Sequence, residues 1–186
     1  MSDSLSINFS HVGVFVQNID RMIDFYTRVL GFIMSDRGVL DNGTEIAFMT
    51  RNPREHHQVV LATGRPDGLS FNVIQQLSFR VGGLDQLREI YRRLVAENVV
   101  MEGPTLGPIT HGNAISVYCR DPEGQRTEFF IDTPWYVHQP MRIPVDMSMN
   151  DAEMWAFVEG HARSLPGFKP LSEWHAEMDR KLAGVH

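Results

Sequence analysis

The sequence repeats itself once, at an interval of 65 residues. The stretch that begins at His11, HVGVFVQNIDRMIDFYTRVL, aligns with the stretch that begins at Gln76, QLSFRVGGLDQLREIYRRLV. The alignment pairs Val16 with Val81, Ile19 with Leu84, Asp20 with Asp85 and Tyr26 with Tyr91. Self-similarity at a fixed interval indicates that one supersecondary unit has been used twice. A chain of 186 residues is long enough for two such units to share a core.

The first copy predicts a β-α-β-β-β unit. Residues 8–16 read as a strand, and Asn18 can cap a helix in which apolar residues recur at helical spacing as far as Leu30. Gly31 ends that helix. Three short extended segments follow near residues 32–36, 44–50 and 56–63, separated by turn-forming residues.

The second copy predicts the same order. Its first strand leads into a helix over 84–96, a short extended segment near 99–102, a Gly/Pro-rich loop over 103–112, and two strands joined by a turn at 121–124. We therefore expect an α+β fold of paired βαβββ modules, about residues 8–63 and 74–133. The strand after Gln76 has one apolar face for a helix and one polar face with Gln76, Ser78 and Arg80. This favours an open, concave mixed sheet with a wet cavity.

The stretch 109–128 carries the strongest signal for a site. His111 lies in the loop before the first of its two strands, Tyr118 lies near the end of that strand, and Glu128 lies in the returning strand. Two strands joined by a tight turn would set these three side chains around one pocket.

Glu128 is predicted to be a buried charge. Alternation puts it on the same face as Phe130 and Arg126, and a buried carboxylate needs a cation, a metal or several hydrogen-bond donors. The alternative is that Glu128 pairs with Arg126 or Arg120 on an exposed face of the sheet. The local pattern leaves both interpretations open.

His11 and Gln76 occupy equivalent positions in the two copies. Alternation points both of them toward the polar, concave face. His11, Gln76 and Glu128 are therefore candidates for a single convergent site, although a strand histidine is commonly satisfied by ordinary hydrogen bonds. Because three separated strands each direct one of these side chains to the concave face, a shared site is favoured over three unrelated polar residues.

The character of the chain changes after Thr133. Prolines are frequent, Asn150 can cap a helix over 151–164, and a second helix is expected between Leu171 and Leu182. This tail, residues 134–186, also contains Trp135, Trp155 and Trp174. We expect it to form a helical extension that packs on the domain over 1–133 or on a second subunit, with a lid over the cavity as the sharper alternative.

Composition excludes several classes of protein. The formal charge is −6 without a dense Lys/Arg cluster, which argues against nucleic acid and anionic membrane as partners. We find no apolar run long enough for a membrane span and no signal-like opening, so a cytoplasmic location is expected. The single cysteine, Cys119, cannot form an internal disulfide and is interpreted as a small packed residue, with a catalytic thiol as the minor alternative.

Together these features of the sequence resemble the pattern of a known protein family. A doubled βαβββ unit with a histidine on its first strand and a glutamate on its last is similar to the vicinal oxygen chelate superfamily of glyoxalases, bleomycin-resistance proteins and type I extradiol dioxygenases. The stretch 109–128 fits the extradiol signature: a histidine, five to seven residues, an apolar residue and tyrosine, then Asp-Pro-x-Gly and a glutamate. The resemblance covers about residues 8–133 and leaves the tail outside.

The resemblance implies roles for individual residues. His11 and Glu128 would be metal ligands, His57 a second-sphere histidine that handles protons, His111 a substrate-side histidine, and Tyr118 a hydrogen-bond donor to the substrate. His56 adjoins His57, but strand alternation is expected to send it to the opposite face.

Gln76 is the departure from the family's pattern. It stands where these enzymes place a second ligand histidine, so the implied metal set is His11, Gln76 and Glu128. Two histidines and a carboxylate suit Fe(II), whereas an amide oxygen is a weaker ligand for iron than imidazole. Fe(II) is the implied cofactor, with Mn(II) or another divalent metal as the alternative.

The predicted function is therefore extradiol-type ring cleavage of a small catecholic or related aromatic substrate with O2. A glyoxalase-like, metal-dependent isomerase or lyase is the first alternative, because that branch is similar in using glutamine as a ligand. A non-catalytic ligand-binding or resistance protein of the same fold is the second. No partner other than small molecules is indicated, and the tail offers surface for a homo-oligomer.

Overall fold

A computed structural model describes residues 8–69, 71–101 and 107–183. The chain forms two compact units. The first contains residues up to Val73 together with the turn Asp121–Gly124, and the second contains Ile74–Arg120 and Gln125–His186. The predicted loop over 103–112 and the segment near 99–102 lie partly outside the described residues.

The first unit has the predicted βαβββ order. Its strands are β1 (Val12–Val16), β2 (Ile33–Val39), β3 (Glu45–Thr50) and β4 (Val59–Thr63). They form a sheet in the order β1-β4-β3-β2, in which β1 and β4 run parallel and the other neighbours run antiparallel.

One face of this sheet is buried against the helix that follows β1. Ala47, Met49 and Leu61 point to that side and are fully buried, as are Met22 and Tyr26 of the helical segment. The opposite face carries Phe15, which is 65% exposed. The apolar residues therefore separate by alternation into a core face and an open face.

The helical segment begins as α1 (Ile19–Asp24) and continues as a π-helical turn, Phe25–Val29. The Asn18 side chain accepts a hydrogen bond from the Arg21 amide at 2.9 Å, so the predicted cap is present. Gly31 ends the segment with φ +73°, a left-handed conformation that suits glycine. The sequence pattern predicted one α-helix here, because apolar spacing cannot distinguish an α-turn from a π-turn.

The second unit repeats the topology. Its elements are β5 (Leu77–Arg80), α2 (Leu84–Ala96), β6 (Ile109–Thr110), β7 (Ala114–Arg120) and β8 (Arg126–Asp132). The sheet order β5-β8-β7-β6 matches that of the first unit, and β10 (Ile143–Pro144) extends it beside β6. The predicted extended segment near residue 100 appears as a single bridge between Val100 and Cys119.

The tail belongs to the second unit. After β9 (Trp135–Tyr136) it forms α3 (Asp151–Arg163), β11 (Lys169–Pro170) and α4 (Leu171–Ala183). Asn150 caps α3 in a reciprocal capping box with Glu153. Trp135 is buried, and its Nε1 donates to the main-chain oxygen of Gly112 at 2.6 Å.

The turn between β7 and β8 is tied to the helix start of the first unit. Glu123 Oε1 accepts hydrogen bonds from the amides of Gln17 at 2.6 Å and Asn18 at 2.8 Å. Arg65 donates to the main-chain oxygen of Glu123 at 3.1 Å. The carboxylate thus satisfies amide donors at the start of α1, which the helix itself leaves without partners.

Within the described parts of the chain, no helix combines the length and the apolar character that crossing a membrane requires.

Candidate functional site

Glu128 is the centre of a buried polar network in the second unit. It lies opposite Tyr118 in the β7–β8 register and is 8% exposed. Its Oε2 accepts hydrogen bonds from Gln76 Nε2 at 2.8 Å and Ser78 Oγ at 2.6 Å. Its Oε1 accepts one from the Tyr118 hydroxyl. Three donors therefore stabilise a carboxylate that burial would otherwise penalise.

This environment decides between the two sequence interpretations of Glu128. The buried charge is confirmed, and pairing of Glu128 with Arg126 or Arg120 on an exposed face is wrong. Arg120 lies at the outer end of the hairpin opposite Arg126, whereas the hydroxyl of Tyr118 and the amide of Gln76 reach the carboxylate directly.

Tyr118 is held as a neutral phenol. It is 2% exposed, and burial, followed by its hydrogen bond to Glu128 and the charge of that carboxylate, raises the pKa of Tyr118 to about 12. The hydroxyl of Ser116 and the charge of Arg126 oppose this rise. A phenol with this pKa acts as a hydrogen-bond donor throughout the physiological range.

His111 completes the network beside Tyr118. Its Nε2 is 2.9 Å from the Tyr118 hydroxyl, and its Nδ1 is 2.8 Å from the main-chain oxygen of Met141. A carbonyl oxygen only accepts, so Nδ1 donates. The Tyr118 hydroxyl, which donates to Glu128, lies between that carboxylate and His111 Nε2. His111 Nε2 is 3.9 Å from Glu128 Oε1.

Gly112 fixes the direction in which His111 leaves the strand. Its φ is +75°, and a Cβ atom built there would lie 2.4 Å from Val137 Cγ2. Its main-chain oxygen accepts hydrogen bonds from Thr133 Oγ1 at 2.8 Å and from the indole of Trp135. The turn requires glycine both for its left-handed conformation and for this close contact.

A second group of candidates lies in the first unit. The His11 and His57 rings have centroids 4.3 Å apart. His57 Nδ1 is 2.9 Å from His56 Nδ1, and His56 Nε2 is 2.6 Å from Asp36 Oδ2. With neutral imidazoles, Asp36 accepts from His56, which accepts from His57, so the Nε2 of His57 keeps its lone pair.

The prediction that His56 faces away from His57 is wrong. β4 begins at Val59, so both histidines lie in the preceding loop, where strand alternation does not apply. The loop brings their rings to a centroid separation of 5.2 Å. This contact gives His57 a neighbour that the sequence pattern did not indicate.

His57 favours its neutral form. Burial lowers the pKa of His57 below its usual range, and the charges of His11 and His56 lower it further. A half-buried imidazole that is neutral near pH 7 can accept a proton.

The structure thus forms two groups from the predicted residues. Gln76, His111, Tyr118 and Glu128 share one network in the second unit, and His11 contacts His57 in the first. The convergence of His11 with Gln76 and Glu128 stays a prediction, because these residues belong to different units.

The predicted ligand residues can be compared with the donor atoms that a divalent metal requires. Among the residues that the structure describes, no three His, Cys, Asp or Glu side chains are grouped so as to hold a metal ion. The predicted set contains only two such residues and an amide. Gln76 and Glu128 are adjacent, but Gln76 offers its nitrogen to the carboxylate. Rotation of the amide would present its oxygen instead, and the two oxygens would then suit a hard divalent cation.

Sequence reasoning missed three contributors to this network. Ser78 was placed on the polar face without a role, and Gln139 and Met141 lie in the tail, outside the family resemblance. Gln139 Nε2 donates to the main-chain oxygen of His111 at 2.6 Å, and Met141 accepts from its ring. Every residue has a backbone acceptor, so the sequence carried no signal that the main-chain oxygen of Met141 would contact His111. The strand alternation that identified Gln76 as a site candidate could also have identified Ser78.

Curated relatives of the chain include a biphenyl-diol dioxygenase and a metapyrocatechase. It is 28% identical over 131 residues to the biphenyl-2,3-diol 1,2-dioxygenase of Paraburkholderia xenovorans (strain LB400), covering 66% of this chain and 42% of that protein. It is 26% identical over 139 residues to the metapyrocatechase of Pseudomonas sp. (strain CF600), covering 73% and 43%. The chain therefore spans less than half the length of these relatives.

Solved structures share the fold. A glyoxylase/bleomycin resistance protein/dioxygenase domain from Frankia sp. EAN1pec matches with a TM-score of 0.56 and 24% identity, over 70% of this chain and 94% of that one. A fosfomycin resistance protein, FosX, from Listeria monocytogenes, solved with Mn(II) and sulfate, matches with a TM-score of 0.51 and 16% identity, over 72% and 95%.

The predicted fold class is confirmed, since both units have the βαβββ order of the vicinal oxygen chelate fold and these neighbours share that fold. The model of the Glyoxalase/Bleomycin resistance protein/Dioxygenase superfamily matches residues 8–129. The chain belongs to this superfamily.

Proposed function

We propose that this protein is a metal-dependent extradiol-type dioxygenase that cleaves a small catecholic substrate. The observation that supports it best is the hydrogen-bonded series from His111 through Tyr118 to the buried Glu128. A protein that only sequesters an apolar ligand has no chemical need for a buried carboxylate coupled to a phenol and an imidazole. The similarity to a biphenyl-2,3-diol 1,2-dioxygenase and a metapyrocatechase supports the same reaction class.

The proposed ligand set is His11, Gln76 and Glu128. Fe(II), or Mn(II) as the alternative, would supply there a Lewis acid that binds the catecholate and brings it together with O2. His11 Nδ1 is 3.2 Å from Ser10 Oγ, which leaves its Nε2 for coordination. Gln76 would take part through its amide oxygen, as a weaker donor than the histidine that the family pattern predicts.

His57 is proposed to be the base. A catechol must lose its phenolic protons to bind as a catecholate, and the lone pair on His57 Nε2 can accept one of them. The contact with His56, which is itself held by Asp36, orients the imidazole of His57.

Tyr118 and His111 are proposed to be the donors. His111 holds the Tyr118 hydroxyl from one side, and the main-chain oxygen of Met141 holds His111. If Glu128 binds a metal, its Oε1 is less available to Tyr118, and the phenolic hydrogen can turn to a substrate oxygen. Because its pKa is raised, Tyr118 keeps that hydrogen.

The overall reaction balances without another reactant. The ring bond beside the diol breaks, both atoms of O2 enter the product, and the proton taken up by His57 returns with ring opening. For catechol itself the product is a hydroxymuconic semialdehyde, which is yellow.

The first experiment is purification without oxygen, addition of Fe(II), and measurement of bound metal together with oxygen uptake and product absorbance for a small panel of catechols. About one equivalent of iron with oxygen consumed in proportion to product supports the proposal. Metal binding without any turnover, or no metal binding, contradicts it.

Gln76→His tests the departure from the family pattern. Replacing a neutral amide oxygen by imidazole should raise the affinity for Fe(II), by about tenfold or more, because imidazole suits this metal better. Equilibrium dialysis against Fe(II) measures the change. The matched control is Ser78→Ala, which removes a donor to Glu128 but adds no metal-binding atom. Equal or weaker iron binding by Gln76→His would exclude position 76 from the ligand set.

A glyoxalase-like isomerase is the second candidate, and the adjacency of Gln76 to Glu128 favours it. An amide oxygen and a carboxylate suit a divalent metal that does not change its oxidation state during the reaction. Isomerisation of a hemithioacetal by protein loaded with a metal other than iron, without oxygen uptake on any catechol, would support this function over ring cleavage.

A further inference from the structure

Arg126 has an unusual environment in the second unit. It lies two residues before Glu128 on the same face of β8 and is half-buried. Its guanidinium carbon lies 4.4 Å from the centroid of the Tyr118 ring. Its Nε is buried and has no hydrogen-bond partner among the described residues. A buried donor without a partner is costly, so such a donor in a native protein requires an explanation.

Arg80 provides an internal comparison on the same sheet face. Its guanidinium carbon lies 5.0 Å from the centroid of the Phe130 ring, and its Nε pairs with Asp132 Oδ2 at 2.6 Å. Arg80 therefore has both an aromatic ring and a carboxylate. Arg126 has the aromatic ring, but the described residues give it no carboxylate.

The strand register makes the lack of an anion more costly. Arg126 lies directly opposite Arg120 in the antiparallel pair, and like charges in directly opposed positions destabilise a sheet. Glu128, the nearest acid along the strand, is occupied by three other donors. A negative charge brought from outside would offset the repulsion.

We infer that Arg126 binds a carboxylate of the substrate, so that the preferred ligand is an aromatic acid rather than an uncharged catechol. A guanidinium presents a planar fork that matches a carboxylate in two hydrogen bonds. Arg126 lies over the ring of Tyr118, whereas Glu128 and His111 lie at the hydroxyl end of that ring. A flat ligand with its diol at one end and its carboxylate at the other can contact both.

The aromatic and diol parts of this assignment rest on the proposed function, whereas the carboxylate part rests on Arg126 alone. The test therefore uses two ligand pairs that differ only in charge. Benzoate and benzamide report on the carboxylate without a diol, and 3,4-dihydroxybenzoate and catechol report on it with one. Calorimetric titrations without oxygen measure the dissociation constants for the wild-type protein and its variants.

In the wild-type protein, benzoate should bind about tenfold or more tightly than benzamide, because a charge-assisted pair replaces a neutral one. Arg126→Gln should bring the ratio close to one, and Arg126→Lys, which retains the charge but loses the planar fork, should give an intermediate ratio. Arg80→Gln is the matched control and should leave the ratio unchanged. Thermal unfolding of each variant verifies that it is folded.

Two results would overturn the inference. One is equal binding of the charged and neutral ligands by the wild-type protein, or binding of neither. The other is a preference for the acids that survives in Arg126→Gln. Oxygen uptake is recorded separately: a preference for benzoate that depends on Arg126, with no turnover of any catechol, would contradict ring cleavage and leave the carboxylate site in place.

Discussion

The two βαβββ modules share a strand order but differ on corresponding faces. In the first module, the face that carries Phe15 and Phe48 is apolar and open, with imidazoles at one end. In the second, the equivalent face carries Ser78, Tyr118 and Glu128 in a closed hydrogen-bonded network. Repetition of the backbone therefore did not repeat the chemistry. Alternation along each strand fixes which positions face the open side, and the residues at those positions determine what that side can bind.

The two groups of titratable side chains also differ in burial. Glu128 and Tyr118 are buried, and their hydrogen bonds are complete within the second unit. His11 and His56 are exposed, and His57 is half-buried. Burial strengthens the hydrogen bonds of the first group and holds its protons in place. Exposure leaves the imidazole cluster able to exchange protons with solvent.

The largest expected effect comes from the closed network. Glu128→Gln replaces a carboxylate by a neutral amide of the same shape, which removes the charged ligand. We expect bound Fe(II) to fall below detection and ring-cleavage activity to fall with it. Metal analysis after gel filtration measures the first effect and oxygen uptake the second. His11→Ala carries the same expectation for bound metal.

The matched control for Glu128→Gln is Asp132→Asn. Asp132 lies on the same strand and face but pairs with Arg80 at the surface, so its removal should leave bound metal unchanged. A full equivalent of iron in Glu128→Gln would exclude Glu128 as a ligand.

The second effect concerns the turn at Gly112, which orients His111. Gly112→Ala would force a side chain into a left-handed conformation and against Val137. We expect a loss of about 3 kcal/mol in the free energy of unfolding, from the combined conformational and packing costs. Urea unfolding measures it. Gly160→Ala is the control: it lies in α3 with open space around a built Cβ, so alanine should stabilise by about 0.5–1 kcal/mol. Equal effects of the two substitutions would rule out a special role for Gly112.

The third effect is the alkaline stability of the second unit. The phenol of Tyr118 titrates near pH 10 in the unfolded chain and at about 12 in the folded protein. Between these values the folded state holds more protons, so the free energy of unfolding decreases as pH rises. Wild-type protein should lose about 2 kcal/mol more than Tyr118→Phe between pH 10 and 12. Parallel pH profiles for the two proteins would show that Tyr118 is not buried as a neutral donor.

The smallest effect concerns the imidazole cluster of His11, His56 and His57. His56→Gln removes one of the charges that lower the pKa of His57, so the pKa of His57 should rise and His57 should become protonated at a higher pH. Nuclear magnetic resonance titration of the imidazole signals measures the change. His175→Gln, which alters an imidazole in α4, is the control. An unchanged pKa of His57 in His56→Gln would show that His56 does not influence His57, the proposed base.

The architecture could be predicted because its signals are local and repeated. The alignment of His11 with Gln76 indicated two modules, and alternation alone put Glu128 on the same face as Phe130. The caps at Asn18 and Asn150 were predicted from single residues, because a capping side chain bonds to amides only a few positions away. The predicted helix over 84–96 has the bounds observed for α2.

The partners of the site residues could not be predicted in the same way. The contact of His56 with His57 depends on where a loop ends and β4 begins. The hydrogen bonds of His111 to Met141 and of Gln139 to His111 join positions about 30 residues apart, across the boundary of the family resemblance. Neither periodicity nor spacing carries information over that distance.

The sequence by itself determined the order of helices and strands along the chain, the faces of the strands, and the set of residues able to act as acids, bases and ligands. Only the tertiary structure decided that Glu128 is bonded to Gln76, Ser78 and Tyr118, and that Arg126 lies over Tyr118 instead of pairing with that carboxylate. The physical reason is that periodicity is a property of neighbouring residues, whereas a buried charge takes as partners whichever donors packing brings within about 3 Å.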